Sequence, residues 1–222
     1  MGYGFYYLAF LLLSFALQRP WLMAGVLVIL LLRRVLPDPV VLFKTVGRIG
    51  SLERQIAANP ANVTARRDLA TLWLERLRPR RALALLDEAR TRSPGDAELL
   101  YLTGLARLRS GDPEGALAPL VEAVGIDPRI RFGEPYLAAA QALSAIGRFE
   151  EAEDALERYL RVNSSSVQGY VRLSEVRRRR GDAAGAREAL REALATWSQV
   201  PGFRKRAELS WWLRAQAARF VT

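Results

Sequence analysis

The sequence predicts an all-α fold made of stacked helix pairs, and three observations carry that expectation. Prolines recur 34 residues apart, at Pro60, Pro94 and Pro128, each preceded by Asn, Ser or Asp and each closing an apolar helical stretch. Ala82, Ala116, Ala152 and Ala186 recur at spacings of 34, 36 and 34, and four residues after each stands a leucine: Leu86, Leu120, Leu156 and Leu190. Three residues further on come Ala89, Ala123 and Ala193, with Tyr159 in that place in one copy. Small residues at a fixed period are needed where two helices cross closely, and large ones where they fill the groove between neighbouring pairs.

Residues 1–36 precede the periodic part and read as a membrane anchor. The first 32 residues hold one charge, Arg19, within two apolar runs, 3–17 and 21–32, split by Gln18-Arg19-Pro20. Neither run alone reaches the ~20 residues of a standard span. Two architectures fit. A tight helical hairpin turns at Arg19-Pro20 with two short arms, or one helix of about 28 residues kinks at Pro20 and leaves Arg19 near mid-membrane. A cleaved signal peptide fits less well, because no basic segment precedes the apolar core and no small-residue cleavage site follows it. Arg33, Arg34, Lys44 and Arg48 follow the second run and nothing basic precedes the first. Positive flanks stay in the cytoplasm, so everything after residue 33 is expected on that side of a bacterial inner membrane.

Residues 37–62 read as a juxtamembrane linker followed by a half-repeat, the latter over 51–58. Four repeats follow across 63–200, at 63–96, 97–130, 133–166 and 167–200, with Arg131-Phe132 as a two-residue insertion. The turn between the two helices of a repeat reads Gly111-Asp112-Pro113-Glu114, Gly147-Arg148-Phe149-Glu150 and Gly181-Asp182-Ala183-Ala184. Glycine suits a helix end that requires the left-handed conformation. The first repeat departs, with Leu77-Arg78-Pro79-Arg80 in its turn, and in the last two repeats Ser164 and Ser198 replace the closing proline.

This pattern of Gly, Ala, Leu and Pro on a 34-residue period resembles the tetratricopeptide repeat (TPR). The resemblance implies a right-handed α-solenoid that binds other proteins. Residues 201–222 then read as a capping helix, with Phe203, Ala207, Trp211 and Ala215 on an i, i+4 stripe that covers the last repeat. The alternative is that Trp211 and Trp212, with nearby arginines, meet a partner or a bilayer interface.

Composition narrows the function. The chain has no Cys and no His among its 222 residues, which removes the common metal ligands, thiol nucleophiles and neutral-pH proton shuttles. No phosphate-binding, dinucleotide-binding or nucleophile-elbow pattern is present. The chain is therefore expected to be no enzyme and to hold no cofactor or metal. Its net charge of +10 comes almost wholly from arginine, since Lys occurs only at 44 and 205. A basic surface attracts acidic proteins, anionic lipid or nucleic acid. No nucleic-acid reading motif or stacking platform accompanies the charge, so nucleic acid is not the expected partner.

The resemblance places a concave, protein-binding face on the first helix of each repeat. By register it carries Arg67 and Thr71, then Tyr101, Leu105 and Leu108, then Leu137 and Gln141, then Val171, Glu175 and Arg178. An apolar centre with charged ends suits an amphipathic helix or an extended peptide, although the same residues also read as ordinary exposed positions between packed helices. Chaperone-binding members use Lys and Asn to clamp a terminal carboxylate, and the residues here do not reproduce that clamp. Arg177, Arg178, Arg179 and Arg180 close a helix, where cations meet the negative end of its dipole. With Trp211 and Trp212 they also form a candidate patch for an acidic partner or lipid.

The expected role is a scaffold or adaptor in envelope or membrane-complex assembly, tethered to lipid through residues 1–36. The arrangement resembles membrane-anchored TPR regulators of envelope biogenesis, without the cysteine-based metal domain of that group. The competing expectation is a permanent structural subunit of an integral membrane complex.

Overall fold

The computed structural model describes residues 39–219 as ten α-helices with two short 3-10 segments and no strand among them. The first helix, α1 (Pro39–Ala58), begins twelve residues before the expected half-repeat at 51, so the stretch read as linker is largely helical. It packs on the next pair through Ile49, Leu52 and Ile56 against Leu69 and Leu72. None of the described helices is long and apolar enough to cross a membrane. The anchor expected over 1–36 lies outside the described residues.

Four helix pairs follow: α2 (Val63–Glu75) with α3 (Pro79–Arg90), α4 (Ala97–Arg109) with α5 (Pro113–Ile126), α6 (Glu134–Ala145) with α7 (Phe149–Val162), and α8 (Val167–Arg179) with α9 (Ala183–Thr196). A last helix, α10 (Gly202–Ala218), packs on both α8 and α9. Caps start the helices. Asn62 accepts from the Ala65 N–H at 2.9 Å, Asp96 from Glu98 and Leu99 at 2.8 and 3.1 Å, and Ser166 from Gly169 at 3.1 Å. Each bond satisfies an amide that the helix itself leaves unpaired.

The turns inside the pairs show why the first repeat is different. Gly111, Gly147 and Gly181 all take positive φ, at 87°, 81° and 86°. Leu77 occupies the same place with φ 56°, so a side chain sits in a backbone conformation that glycine enters without strain.

The repeating alanines and leucines form the core. Ala82, Leu86, Ala89, Ala116, Leu120 and Ala123 have no exposed surface, and Leu99, Leu100 and Leu102 from α4 pack in the same cluster. A second cluster joins α6, α7 and α8 through Leu137, Leu143, Leu156, Tyr159 and Leu173. A third joins the last pair to α10 through Val167, Val171, Leu190, Val200 and Ala215. All-α architecture with continuous packing between neighbouring pairs is what a helical solenoid requires.

The expected buried stripe of α10 is corrected in part. Phe203 is 85% exposed and Ala207 is also exposed, while Glu208, Trp211, Trp212 and Ala215 face the last repeat. Glu208 helps to turn the helix this way. The residue is 5% exposed, and its carboxylate accepts the backbone N–H of Gln168 at 3.0 Å and pairs with Arg204 at 3.4 Å. Arg204 in turn donates to Asn163 at 3.4 Å. Two indoles and Ala215 packed on the last pair, together with a hydrogen bond to the first turn of α8, outweigh burial of one phenylalanine.

Candidate protein-binding groove

The first helices α2, α4, α6 and α8 line two adjoining hollows. The larger, of about 560 Å³, lies between α2, α4 and α6, and the smaller, of about 340 Å³, between α6 and α8. Leu108 and Gln141 line both, so the two make one groove.

Six residues singled out from sequence line the larger hollow: Thr71, Tyr101, Leu105, Leu108, Leu137 and Gln141. Glu175 lines the smaller one. The other three stand apart. Arg67 is half-exposed beside Asp68 at 3.6 Å, Val171 is buried in the third core cluster, and Arg178 is exposed outside both hollows.

Arg131 of the two-residue insertion furnishes one wall of the larger hollow. Arg131 and Phe132 take left-handed conformations, with φ of 47° and 56°, just before α6. That geometry folds the Arg131 guanidinium back onto α4, 2.6 Å from the Glu98 carboxylate and 5.7 Å from the Tyr101 ring centre. The Tyr101 hydroxyl donates to Glu134 at 2.8 Å. Burial, and then the adjacent Glu134 carboxylate, push the Tyr101 hydroxyl well above the usual phenol range. Arg109 closes the far side by donating to the Leu74 carbonyl at 3.1 Å, at the end of α2. The floor is thus leucine and the rim is guanidinium and carboxylate.

In the smaller hollow Arg172 stands out. Its guanidinium stacks 4.8 Å from the Trp211 ring centre, and its buried Nε has no hydrogen-bond partner. Burial holds its pKa below the ordinary guanidinium value, with Glu175 opposing that shift and Arg214 adding to it. Arg179 lines the same hollow. Helical spacing does not find these groups in the sequence, because Arg131, Glu134 and Arg172 act across helix pairs. The insertion at 131–132 is the local signal that marks this wall.

The arginine run 177–180 divides. Arg177 pairs with Glu153 at 2.7 Å and Glu157 at 3.2 Å, and Arg180 pairs with Glu153 and lies 3.8 Å from Glu150. Arg179 stacks over Phe149 at 5.8 Å, and Arg178 stays exposed. Three of the four cations are therefore engaged with α7, two through ion pairs and one through a ring. Trp212 stacks on Trp197 at 5.3 Å, and Trp211 lies between Arg172 and Arg214, so both indoles are built into the end of the solenoid.

Comparison with known proteins follows the same lines. No curated protein matches the chain. Among solved structures, a crystal structure of MamA superposes with a TM-score of 0.64 at 18% identity, covering 68% of this chain and 87% of that one. MamA residues 41 to the end from Desulfovibrio magneticus RS-1 give 0.63 at 14% identity, over 68% and 84%. YrrB, described as a TPR protein with an unusual peptide-binding site, gives 0.59 at 15% identity, over 70% and 81%. At these identities the likeness is one of fold. The tetratricopeptide repeat family model matches residues 67–129 and 137–201, more than half of the sequence. With the period, the buried alanines and leucines and the paired helices, that match shows that the chain belongs to the tetratricopeptide repeat family.

Proposed function

We propose that this protein is a membrane-anchored scaffold whose groove takes an amphipathic helix or extended segment of a partner protein. The observation that carries this reading is the continuous groove across α2, α4, α6 and α8. Its floor is Leu105, Leu108 and Leu137, and its rim is Arg109, Arg131 and Glu134. An apolar trough edged by fixed polar groups buries a partner's side chains and pairs its polar rim. The peptide-binding site in the printed description of YrrB, a protein of the same fold, supports the reading. The two apolar runs within 1–36 and the basic residues after them support a tether with the repeats in the cytoplasm of a bacterium, in envelope or membrane-complex assembly.

The test is purification of the full-length protein from its native membrane in mild detergent, beside a Leu105→Gln, Leu108→Gln variant. A stoichiometric partner that the variant loses, with its thermal melt preserved, supports the scaffold. Absence of any such partner removes the reading. A second reading, a permanent subunit of an integral membrane complex, is favoured by Arg19, a lone charge between two under-length apolar runs. It predicts a partner that the groove variant retains and that is lost on deletion of residues 1–36.

A further inference from the structure

We propose that the outer face of α10 docks on the surface of an anionic lipid bilayer. The inward face of this helix is already committed, with Glu208 hydrogen-bonded to α8 and Trp211, Trp212 and Ala215 packed on the last pair. Its opposite face is apolar as well. Phe203 is 85% exposed, Leu213 54% and Leu209 44%. At 3.6 residues per turn these three lie within an arc of about 120°, which also contains the exposed Ala217. Arg206 lies inside that arc, and Lys205 and Arg214 flank it on either side, all three exposed. Every exposed charge on the helix is positive, because its one carboxylate is the buried Glu208.

An apolar arc edged by Lys and Arg is the arrangement of a helix lying in the plane of a bilayer interface. The apolar side chains enter the acyl boundary while the basic heads rise to anionic phosphates. Two observations favour lipid over an acidic protein. Among the described residues, Phe203, Leu209 and Leu213 line neither hollow of the groove nor the hollow formed by Leu190, Leu194 and Arg219, so they do not frame a seat of that kind for a partner's side chain. The helix is also convex and single, a shape that a fluid surface accommodates. The surface is separate from the groove, and the inference rests on the membrane-anchored reading only for its proximity to lipid.

The chain contains no cysteine, so Leu213→Cys carries a single fluorescent label on the outer arc, and Glu122→Cys on α5 serves as a control. The labelled full-length chain is mixed with vesicles of brominated phosphatidylcholine, alone or with roughly a quarter phosphatidylglycerol. The expected result is about twofold quenching at 213 with the anionic vesicles, little with the neutral ones, and none at 122. Arg206→Glu, within the arc, abolishes the quenching at 213 without moving the thermal melt. A label at 213 that stays bright while the chain floats with anionic vesicles overturns the docking and leaves the anchor standing. Flotation only with anionic vesicles, lost in Arg206→Glu, supports the docking and removes the anchor. A chain that floats with neither vesicle removes both. Equal quenching in neutral vesicles overturns the requirement for anionic lipid. A label shielded from iodide yet unreached by brominated lipid shows that another protein chain covers this face, and that also overturns the proposal.

Discussion

The crossing of α4 with α5 and the junction of α7, α8 and α10 are held by different means. At the first, Gly104 lies so close to α5 that a Cβ there would stand 2.5 Å from Leu120 Cγ, and the surrounding Leu99, Leu100 and Leu102 are wholly or almost wholly buried. At the second, Tyr159 fills the place that holds alanine in the other repeats, and Gly169 opposite leaves room for its ring. The Tyr159 hydroxyl donates to Ser166 at 3.1 Å and accepts from Asn163 at 3.0 Å, and Glu208 reaches in from α10. Inside the array a helix has neighbours on both sides, and close packing is the larger part of what holds it, with the Arg107 guanidinium donating to the Gly115 carbonyl across the crossing at 3.0 Å. Where the array stops, helix ends that no further repeat covers require hydrogen-bond partners.

The contrast can be broken at several points. Gly104→Ala is expected to lower unfolding free energy by about 2 kcal/mol, because the added methyl overfills a packed crossing. Thermal denaturation checks it, and an unchanged melt would mean that α4 and α5 separate freely and that shape does not hold this crossing. Glu208→Ala should remove about 1.5 kcal/mol, by leaving the Gln168 amide without its buried acceptor. Hydrogen exchange should then show lost protection in the first turn of α8 with α4 unaffected. Leu77→Gly runs the other way, with a gain of about 1 kcal/mol as the left-handed turn loses its strained side chain. A loss instead would show that the Leu77 side chain contributes more by packing than its backbone loses.

The smallest effect concerns pH. The Tyr101 hydroxyl is raised above its ordinary value of 10.0 in the folded chain, so its contribution is complete below that pH. As pH rises past 10.0 the unfolded chain ionises first and the folded state loses stability. Tyr101→Phe should flatten the decline attributable to this group in alkaline chemical denaturation, while the declines due to Tyr159 and Tyr170, both also raised by burial, persist.

The helix pairs were legible in the sequence because period, helix crossing and side-chain size are one constraint: Ala82 and Leu86 recur since each copy packs on the next in the same way. The departure at Leu77 was legible too, since glycine stands at the other three turns. The site was readable only in outline. Register placed Thr71, Tyr101, Leu105 and Gln141 on the groove, but Val171 faced the core because α10 covers that end of α8. The partners of Tyr101 lie 30 and 33 residues downstream, and Glu208 bonds an amide 40 residues upstream. Such contacts leave no local mark. The stripe assigned to α10 was in part on the wrong side for the same reason, since apolar residues occur on both faces and the indoles, with the distant Gln168 amide, favour the face that carries Glu208.

The bond from Glu208 to the start of α8 also gives the array a direction. A chain of identical repeats opens from either end, like a stack of coins. Here the last coin is pinned from above, so a truncation near residue 200 takes away more than a lid: it uncaps the helix beneath. Shortening from the C-terminal side is therefore subtractive twice over.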